Sequence, residues 1–357
     1  MGGFMSCFIE LLREHQHDFL HHYDKQLNHN THHAINALLS CKTSEQRKMS
    51  WCCAHCNHQA QHPLSCGHRH CPQCQHQTTM QWLQRQQQKL LPCHYFMVTF
   101  TLPFEFRALA RYQPKALYQT MFKVVSNVLK GFAKRQLKAD IGFTMVLHTH
   151  NRRRDLHPHI HVVMPCGYYD ADKNQWHKGN KHFLFNAFTL AQVWRAQMLD
   201  AINKHAQISL PAKYPKKWVV DCRKVGFGEK AYQYLSRYLY RGVISDKDII
   251  NYDNNTVTFK YQDSRTKKTA TRTLPVLKFL WLILQHVLPK GLQRVRDCGY
   301  LRGNAGKLRQ RIQILLINTK NWIIPEKQPQ PKAIRICPCC KHEMLCMGVI
   351  INLARTN

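Results

Sequence analysis

Acidic residues are scarce in this chain. Asp and Glu number 20 among 357 residues, against 52 Lys and Arg, for a formal net charge of +32 at pH 7. An ordinary small-molecule enzyme has no use for such a field, and a surface tuned only for solubility carries fewer charges of mixed sign. The imbalance points to a polyanionic partner, and nucleic acid is the expected one. Long apolar runs are lacking too. The most apolar stretch, Val276 to Leu288, is interrupted by Lys278, Gln285 and His286. It is too short to span a bilayer and reads as a buried helix, so no membrane association is expected. The N-terminus, Met1-Gly2-Gly3-Phe4-Met5-Ser6-Cys7, shows no basic segment followed by an apolar core, so a secretory leader is not expected. Gly2 alone does not make a myristoylation site. No internal repeat is visible.

Cysteine, in contrast, is abundant. Sixteen cysteines clustered with histidines, without a leader, suit metal binding in a reducing compartment better than a disulfide scaffold. The strongest local motif is Cys53-x2-Cys56, a gap of 14 residues, then Cys71-x2-Cys74. Each pair places two thiolates around one ion, and the loop brings the pairs together as a tetrahedral zinc site. Such a site contributes about 10–16 kcal/mol of apparent binding energy to folding, enough to order a segment with little core. Cys52, Cys66, His55, His58, His68 and His70 are further or alternative ligands, and a second ion using Cys66 and His70 is one option. Arg69, Arg85 and Lys89 around this module are candidate phosphate contacts.

The pattern along the chain predicts an α+β fold, with a central antiparallel sheet and helices packed on it. Three regions are expected: an N-terminal helical and zinc-binding domain over 1–91, a central α+β domain with a helical, basic C-terminal part over 92–322, and a Pro-containing linker with a Cys-rich tail over 323–357. The tail holds Cys337, Cys339, Cys340 and Cys346. Strands are predicted at Tyr95 to Leu102, Gly142 to His150, 156–164 and Trp218 to Arg223, with a polar hairpin at 256–274. Residues 275–322 read as helical.

The functional signal lies in Leu156-His157-Pro158-His159-Ile160-His161-Val162. Side chains alternate on a strand, so His159 and His161 share a face and can hold one divalent cation. The turn 151–155 folds the preceding strand back beside them, making His148 the candidate third ligand. His157 shares their face and could compete, and His150 lies nearer the turn; the register is left open by the sequence. Downstream, Tyr234-Leu235-Ser236-Arg237-Tyr238 places two tyrosines four residues apart, on one face of a helix opened by Gly226-Phe227-Gly228. A His-hydrophobic-His strand with a tyrosine helix is the pattern of enzymes that cut single-stranded DNA through a phosphotyrosine bond. Imidazole suits Mn²⁺ and tolerates Mg²⁺. The cation would polarise the phosphate and offset charge on the leaving 3′ oxygen. A phenol's pKa is about 10 when unperturbed, so nearby cationic groups must favour the phenolate. Arg237 and Arg241 are the candidates on the same helix.

Taken together these stretches resemble the rolling-circle insertion-sequence transposases of the two-tyrosine HUH superfamily (insertion sequence ninety-one type). The cysteine segment with Ser65-Cys66 and Arg69-His70-Cys71-Pro72-Gln73-Cys74 resembles the family's N-terminal zinc-binding domain. Tyr95 to Pro103 resembles its first strand, and Leu147-His148-Thr149 with His157 to His161 its metal strands. Tyr234 to Tyr238 resembles its tyrosine helix, and the segments His286 to Gly291 and Arg294-Val295-Arg296 are also similar. The chain departs from the pattern at Pro165-Cys166-Gly167, with one glycine after the histidine strand, and in its dense cysteine tail. The resemblance implies nicking of one strand at an element's end, capture of the 5′ phosphate on a tyrosine, and transfer of the target strand to the second tyrosine. It implies Tyr234 and Tyr238 as nucleophiles, His159 and His161 as ligands of a catalytic Mg²⁺ or Mn²⁺, a structural Zn²⁺, single-stranded DNA as partner, and a cytoplasmic, nucleoid-associated place in a bacterium. Tyr240 faces away from the pair and reads as packing. A plasmid replication initiator or relaxase would share this chemistry, and an inactive zinc-dependent DNA-binding protein would share the composition.

Overall fold

The computed structural model describes residues 6–43, 46–74, 76–137, 139–180, 185–239, 243–263, 265–317 and 334–350. At its centre is a five-stranded antiparallel sheet. In spatial order its strands are Val295–Cys298, Phe143–His150, Leu156–Pro165, Tyr95–Thr101 and Val219–Lys224. The strand bearing the histidines is therefore the middle one. Its two neighbours set the register directly: Thr99 opposes His161, Thr101 opposes His159, and His148 opposes His159 from the other side.

Strict alternation makes the two faces of this sheet chemically different. Phe96, Val98, Phe100, Phe143, Met145, Leu147, Ile160, Val162 and Met164 all point to one face, where helices Pro114–Leu137 and Ala187–Asn203 cover them. The opposite face changes character along its length. Met97, Val146 and Val163 form an apolar half that packs on Ala231, Tyr232 and Leu235 of the helix Glu229–Leu239, with Trp82 and Ile312 from helices His76–Gln87 and Gly306–Ile317 beside them. His148, His159, His161, Thr99 and Thr101 form the other half, which lines a cleft.

The last strand of the sheet departs from expectation. Residues 275–322 read as helical, yet among the described residues the chain forms the helix Val276–Leu284, then the edge strand Val295–Cys298, then the helix Gly306–Ile317; residues 318–322 lie outside the described residues. Arg296 and Asp297 give this strand a polar look. Asp297 is nonetheless tied inward, accepting from Thr144 Oγ1 at 2.7 Å and pairing with Lys89.

A second core joins sequence-distant parts. Phe8, Leu11, Leu12, Phe19, Ile35 and Leu38 from the N-terminal helices pack with Val257, Phe259, Phe279, Leu280 and Ile283. Packing thus crosses the expected boundary at residue 91. The hairpin Thr256–Gln262 and Thr269–Pro275 belongs to this body, and its tip reaches over the histidine end of the central sheet. A small separate sheet joins Lys48–Cys53 to Gln59–Pro63 on one side and Met344–Ile350 on the other. Among the described residues, no helix is long and apolar enough to cross a membrane.

Candidate functional site

His148, His159 and His161 converge. Their ligand nitrogens all lie within 4.8 Å of one another, and all three rings are buried. The hairpin register that the sequence left open is resolved by a bulge between His148 and His150. Two residues on one strand then oppose one on the other, which ends regular pairing and re-aims the side chains beyond the bulge. His150 accordingly packs beside His286, with ring centroids 5.1 Å apart, outside the triad. His157 lies next to His159 but is only half-buried and also stands outside.

The rings are oriented as metal-binding imidazoles are. His159 Nδ1–H donates to the His157 carbonyl at 2.7 Å, which leaves Nε2 with its lone pair. His161 Nδ1 pairs with Thr99 Oγ1 at 2.9 Å, while its Nε2 is buried with no hydrogen-bond partner among the described residues. A buried nitrogen of that kind calls for a ligand. Burial pushes all three histidines below their ordinary range, His159 to about 4, and their mutual proximity adds to the effect for His148 and His161. Burial outweighs the His157 carbonyl, which favours the charged form of His159. Each ring is therefore neutral at pH 7, the form that binds a cation. The donor set fits a divalent cation.

The triad lines one wall of a cleft of about 480 Å³. Tyr234 lines the same cleft, its ring centroid 6.1 Å from that of His161. Two features hold it there. Tyr232 and Leu235 bury the sheet-facing side of the helix Glu229–Leu239, leaving Tyr234 at the margin between apolar and histidine halves. The entry turn is fixed by Gly228, whose φ of +88° suits glycine and whose Cα lies against the Tyr95 ring; a Cβ would sit 2.9 Å from that ring. Tyr95 N–H also donates to the Gly226 carbonyl at 2.7 Å.

Tyr238 stands one helical turn beyond Tyr234. Its side chain and that of Arg237 lie outside the described residues, as does the whole of Arg241. Other cations are in place. Arg152, Arg153, Arg223 and Lys267 line the cleft, with Tyr261 and Asp263 from the hairpin tip. The sequence reading missed these. Arg223 had a usable signal, since it shares a strand face with Asp221, to which it pairs at 3.5 Å. Lys267 and Tyr261 had none, because only tertiary packing carries the hairpin tip to this place.

The expected four-cysteine site of Cys53, Cys56, Cys71 and Cys74 does not form. The two pairs are split between two tetrads. Cys71 and Cys74 meet Cys41 and Cys66, with Cys41 Sγ at 3.4 and 3.5 Å from the sulfurs of Cys71 and Cys74. Cys53 and Cys56 meet Cys337 and Cys340 instead. In tetrahedral zinc coordination with bonds of about 2.3 Å, sulfurs lie roughly 3.8 Å apart, close to these spacings. His70 is not a ligand: its Nε2 accepts the Leu288 N–H at 3.0 Å, and burial keeps its pKa well down. Arg69, expected on phosphate, donates to the carbonyls of Leu292 at 2.7 Å and Pro289 at 3.5 Å. Lys89 is held by Asp297.

These bonds give the segment 286–294 its meaning. His286 Nε2–H donates to the carbonyl of Arg154 in the hairpin turn, at 2.8 Å. Lys290 N–H donates to Asn30 Oδ1, and Arg294 Nε donates to the Leu147 carbonyl one residue before His148. One short segment thus ties the Cys66–Cys74 loop to the strand and turn that place the histidines.

Comparison with known proteins agrees with this anatomy. A family profile described as "Putative transposase" matches residues 142–308, and one described as "Transposase zinc-binding domain" matches residues 11–102. The chain is 29% identical over 343 residues to "Putative transposase y4qJ" of Sinorhizobium fredii, covering 86% of each. It is 27% identical over 292 residues to the transposase for insertion sequence element IS801 of Pseudomonas savastanoi pv. phaseolicola, covering 75% of this chain and 69% of that protein. No solved structure gives a significant match. The first profile spans the three histidines and Tyr234, and the second spans the Cys41, Cys66, Cys71 and Cys74 tetrad. The chain is a DNA transposase, similar to insertion-sequence transposases, whose N-terminal part matches a transposase zinc-binding domain.

Proposed function

We propose that this transposase nicks and rejoins single-stranded DNA through a 5′-phosphotyrosine bond, with Tyr234 as a nucleophile and His148, His159 and His161 holding a divalent cation. The observation that carries the reading is the convergence of Tyr234 and the histidine triad on one cleft, 6.1 Å apart at the His161 ring. Mg²⁺ or Mn²⁺ at the triad would polarise the scissile phosphate and offset charge on the leaving oxygen.

The chain's own residues supply the rest. Tyr234 gives up its phenolic proton to solvent and its Oη attacks phosphorus; the new bond joins phosphorus to the phenolic oxygen, and the bond to the 3′ oxygen breaks. The 3′ oxygen leaves as a hydroxyl after taking up a proton, and the phosphodiester is kept in covalent form for rejoining. His157 and Thr99 fix the two histidine rings, so the ligands need no rearrangement as charge develops. Arg152, Arg153, Arg223 and Lys267 make the cleft attractive to a phosphate backbone. Tyr238 is assigned the second transfer, with Arg237 and Arg241 contacting the strand beside it. Cys41, Cys66, Cys71 and Cys74 are assigned the structural zinc of the N-terminal domain.

A covalent-adduct assay tests this. Purified protein, Mn²⁺ and single-stranded DNA carrying the element's ends are run on a denaturing gel beside Tyr234→Phe, Tyr238→Phe and the double variant. The expected result is a protein–DNA band that is lost in the double variant, with Tyr234→Phe showing which tyrosine attacks first. A band that survives in the double variant, or tight binding of the correct DNA with no band, would overturn the mechanism.

A further inference from the structure

Cys53, Cys56, Cys337 and Cys340 come from opposite ends of the chain. Their four sulfurs lie within 4.8 Å of one another, with Cys53 to Cys340 at 3.4 Å and Cys56 to Cys337 at 3.6 Å. We propose that these four thiolates bind a second zinc ion, and that this ion fastens the C-terminal tail to the N-terminal ribbon. The site lies outside the chemistry proposed above and does not depend on it.

The backbone makes the case independently of the sulfur spacing. Both Cys-x2-Cys segments fold into the same knuckle. Asn57 N–H donates to the Cys53 carbonyl at 2.9 Å, and Lys341 N–H donates to the Cys337 carbonyl at 3.0 Å. Cys53 N–H donates to the His58 carbonyl at 2.9 Å, and Cys337 N–H donates to the His342 carbonyl at 2.8 Å. The residue after each second cysteine takes the left-handed conformation, Asn57 at φ +56° and Lys341 at +63°. Left-handed backbone is uncommon for lysine, and here it recurs at the matching position of both knuckles. A shared ion explains why two segments some 280 residues apart adopt one geometry and face each other.

The packing is too slight to do this alone. Met344–Ile350 pairs with Lys48–Cys53, placing Met344 opposite Cys53 and Cys346 opposite Trp51. Beneath that sheet, among the described residues, the buried ones are Cys53, Cys337 and Met344, with Trp51, Ala60 and Cys340 half-covered. The tail strand turns Leu345, Met347 and Val349 to solvent. Arg335 reaches His62 and the Trp51 ring, a single partly buried contact. A two-part sheet with so small a core needs a metal to order it. His55 and His342 stack beside Cys340, with ring centroids 4.0 Å apart, but with Cys340 they supply only three ligands, all at least partly open to solvent. The four-thiolate set is the complete one.

The test uses the full-length protein. Metal content by inductively coupled plasma mass spectrometry should give two zinc ions per chain, falling to one in the Cys337→Ser/Cys340→Ser double variant. Alkylation mapped by mass spectrometry should then find Cys53 and Cys56 reactive, while Cys41, Cys66, Cys71 and Cys74 stay protected. A second variant that removes everything after Ile317 should give the same count and the same alkylation pattern. Two zinc ions retained by both variants, or Cys53 and Cys56 still protected, would overturn the proposal. Iron in place of zinc would overturn the metal's identity. Zinc-dependent dimers that become monomers in the double variant would show the clasp to run between chains, overturning its intrachain form.

Discussion

Around His148, His159 and His161 lie strands whose other face is a continuous apolar core. Around Cys53, Cys56, Cys337 and Cys340, among the described residues, only Cys53, Cys337 and Met344 are buried. At the histidines the fold itself orients the rings, through register, a bulge and two hydrogen bonds. At the cysteines the dependence runs the other way, because a few buried atoms cannot hold two chain ends together. The Cys41, Cys66, Cys71 and Cys74 tetrad falls between these cases. It borders the second core, and its loop is bolted by Arg69 and His70 to the segment that also steadies the histidine hairpin.

The largest effect should come from removing zinc from that intermediate tetrad. Cys71→Ser should lose one ion and the folding energy tied to it, about 10–16 kcal/mol as apparent binding energy. Loss of the low-temperature part of the thermal melt and a lower zinc count would report it. Replacing all three histidines with alanine should leave zinc content and the melt largely unchanged while ending cation-dependent nicking. An unaltered melt in Cys71→Ser would break the comparison, because the thiolates would then be as dispensable to the fold as the imidazoles are expected to be.

Legibility in the sequence divides along the same line. Alternation along 156–164 was enough to place His159 and His161 on one face, since a strand's period is local. The helix Glu229–Leu239 that carries Tyr234 was legible for the same reason. Partner choice among cysteines was not. Cys53 and Cys56 look complete with Cys71 and Cys74 by spacing, yet Cys41 sits at the end of the helix His29–Leu39, outside any Cys-x2-Cys motif, and Cys337 and Cys340 lie at the far end of the chain. Local pattern carries no information about which distant pair closes a tetrahedron. The bulge at Thr149 and the four-residue edge strand Val295–Cys298 escaped because neither has a periodicity long enough to read. Arg69 and Lys89 looked like a phosphate surface, and tertiary structure gave their heads to carbonyls and Asp297.

A smaller effect separates orientation from ligation. Thr99→Val keeps the size of the side chain and removes the hydroxyl at 2.9 Å from His161 Nδ1. Loss of such a supporting partner should weaken cation affinity or nicking by about 10–100-fold, with zinc content and melting preserved. Isothermal titration with Mn²⁺ beside the nicking rate would show it. Unchanged values would mean that the strands alone orient the ring.

Acid should act more gradually. His159 has a folded pKa of about 4 against 6.5 for the free side chain, and His148 and His161 are shifted the same way by burial. The unfolded chain therefore takes up protons between these values while the native state does not. Stability is full above 6.5 and declines as pH falls towards 4, by about 1.4 kcal/mol per pH unit for each fully titrating histidine. Urea midpoints between about pH 7.5 and 5.5, in wild type and in His159→Gln, would measure the share due to this ring. A steeper decline in the variant than in wild type would reverse the assignment.

The smallest contrast concerns two arginines that look alike in sequence. Arg69 is spent on the carbonyls of Leu292 and Pro289, whereas Arg223 lines the cleft beside Tyr234 with its side chain largely exposed. Each phosphate contact adds about 0.9 to the slope of log affinity against log salt for duplex DNA, and about 0.7 for a single strand. Arg223→Ala should lower that slope by one such step on single-stranded DNA. Arg69→Ala should leave the slope alone and instead destabilise the fold by roughly 1–3 kcal/mol, the loss expected when hydrogen bonds made by a charged group are removed. A drop in slope for Arg69→Ala would return that residue to the DNA surface. It would also mean that the zinc loop reaches the strand directly, and does not act only by steadying the histidine hairpin.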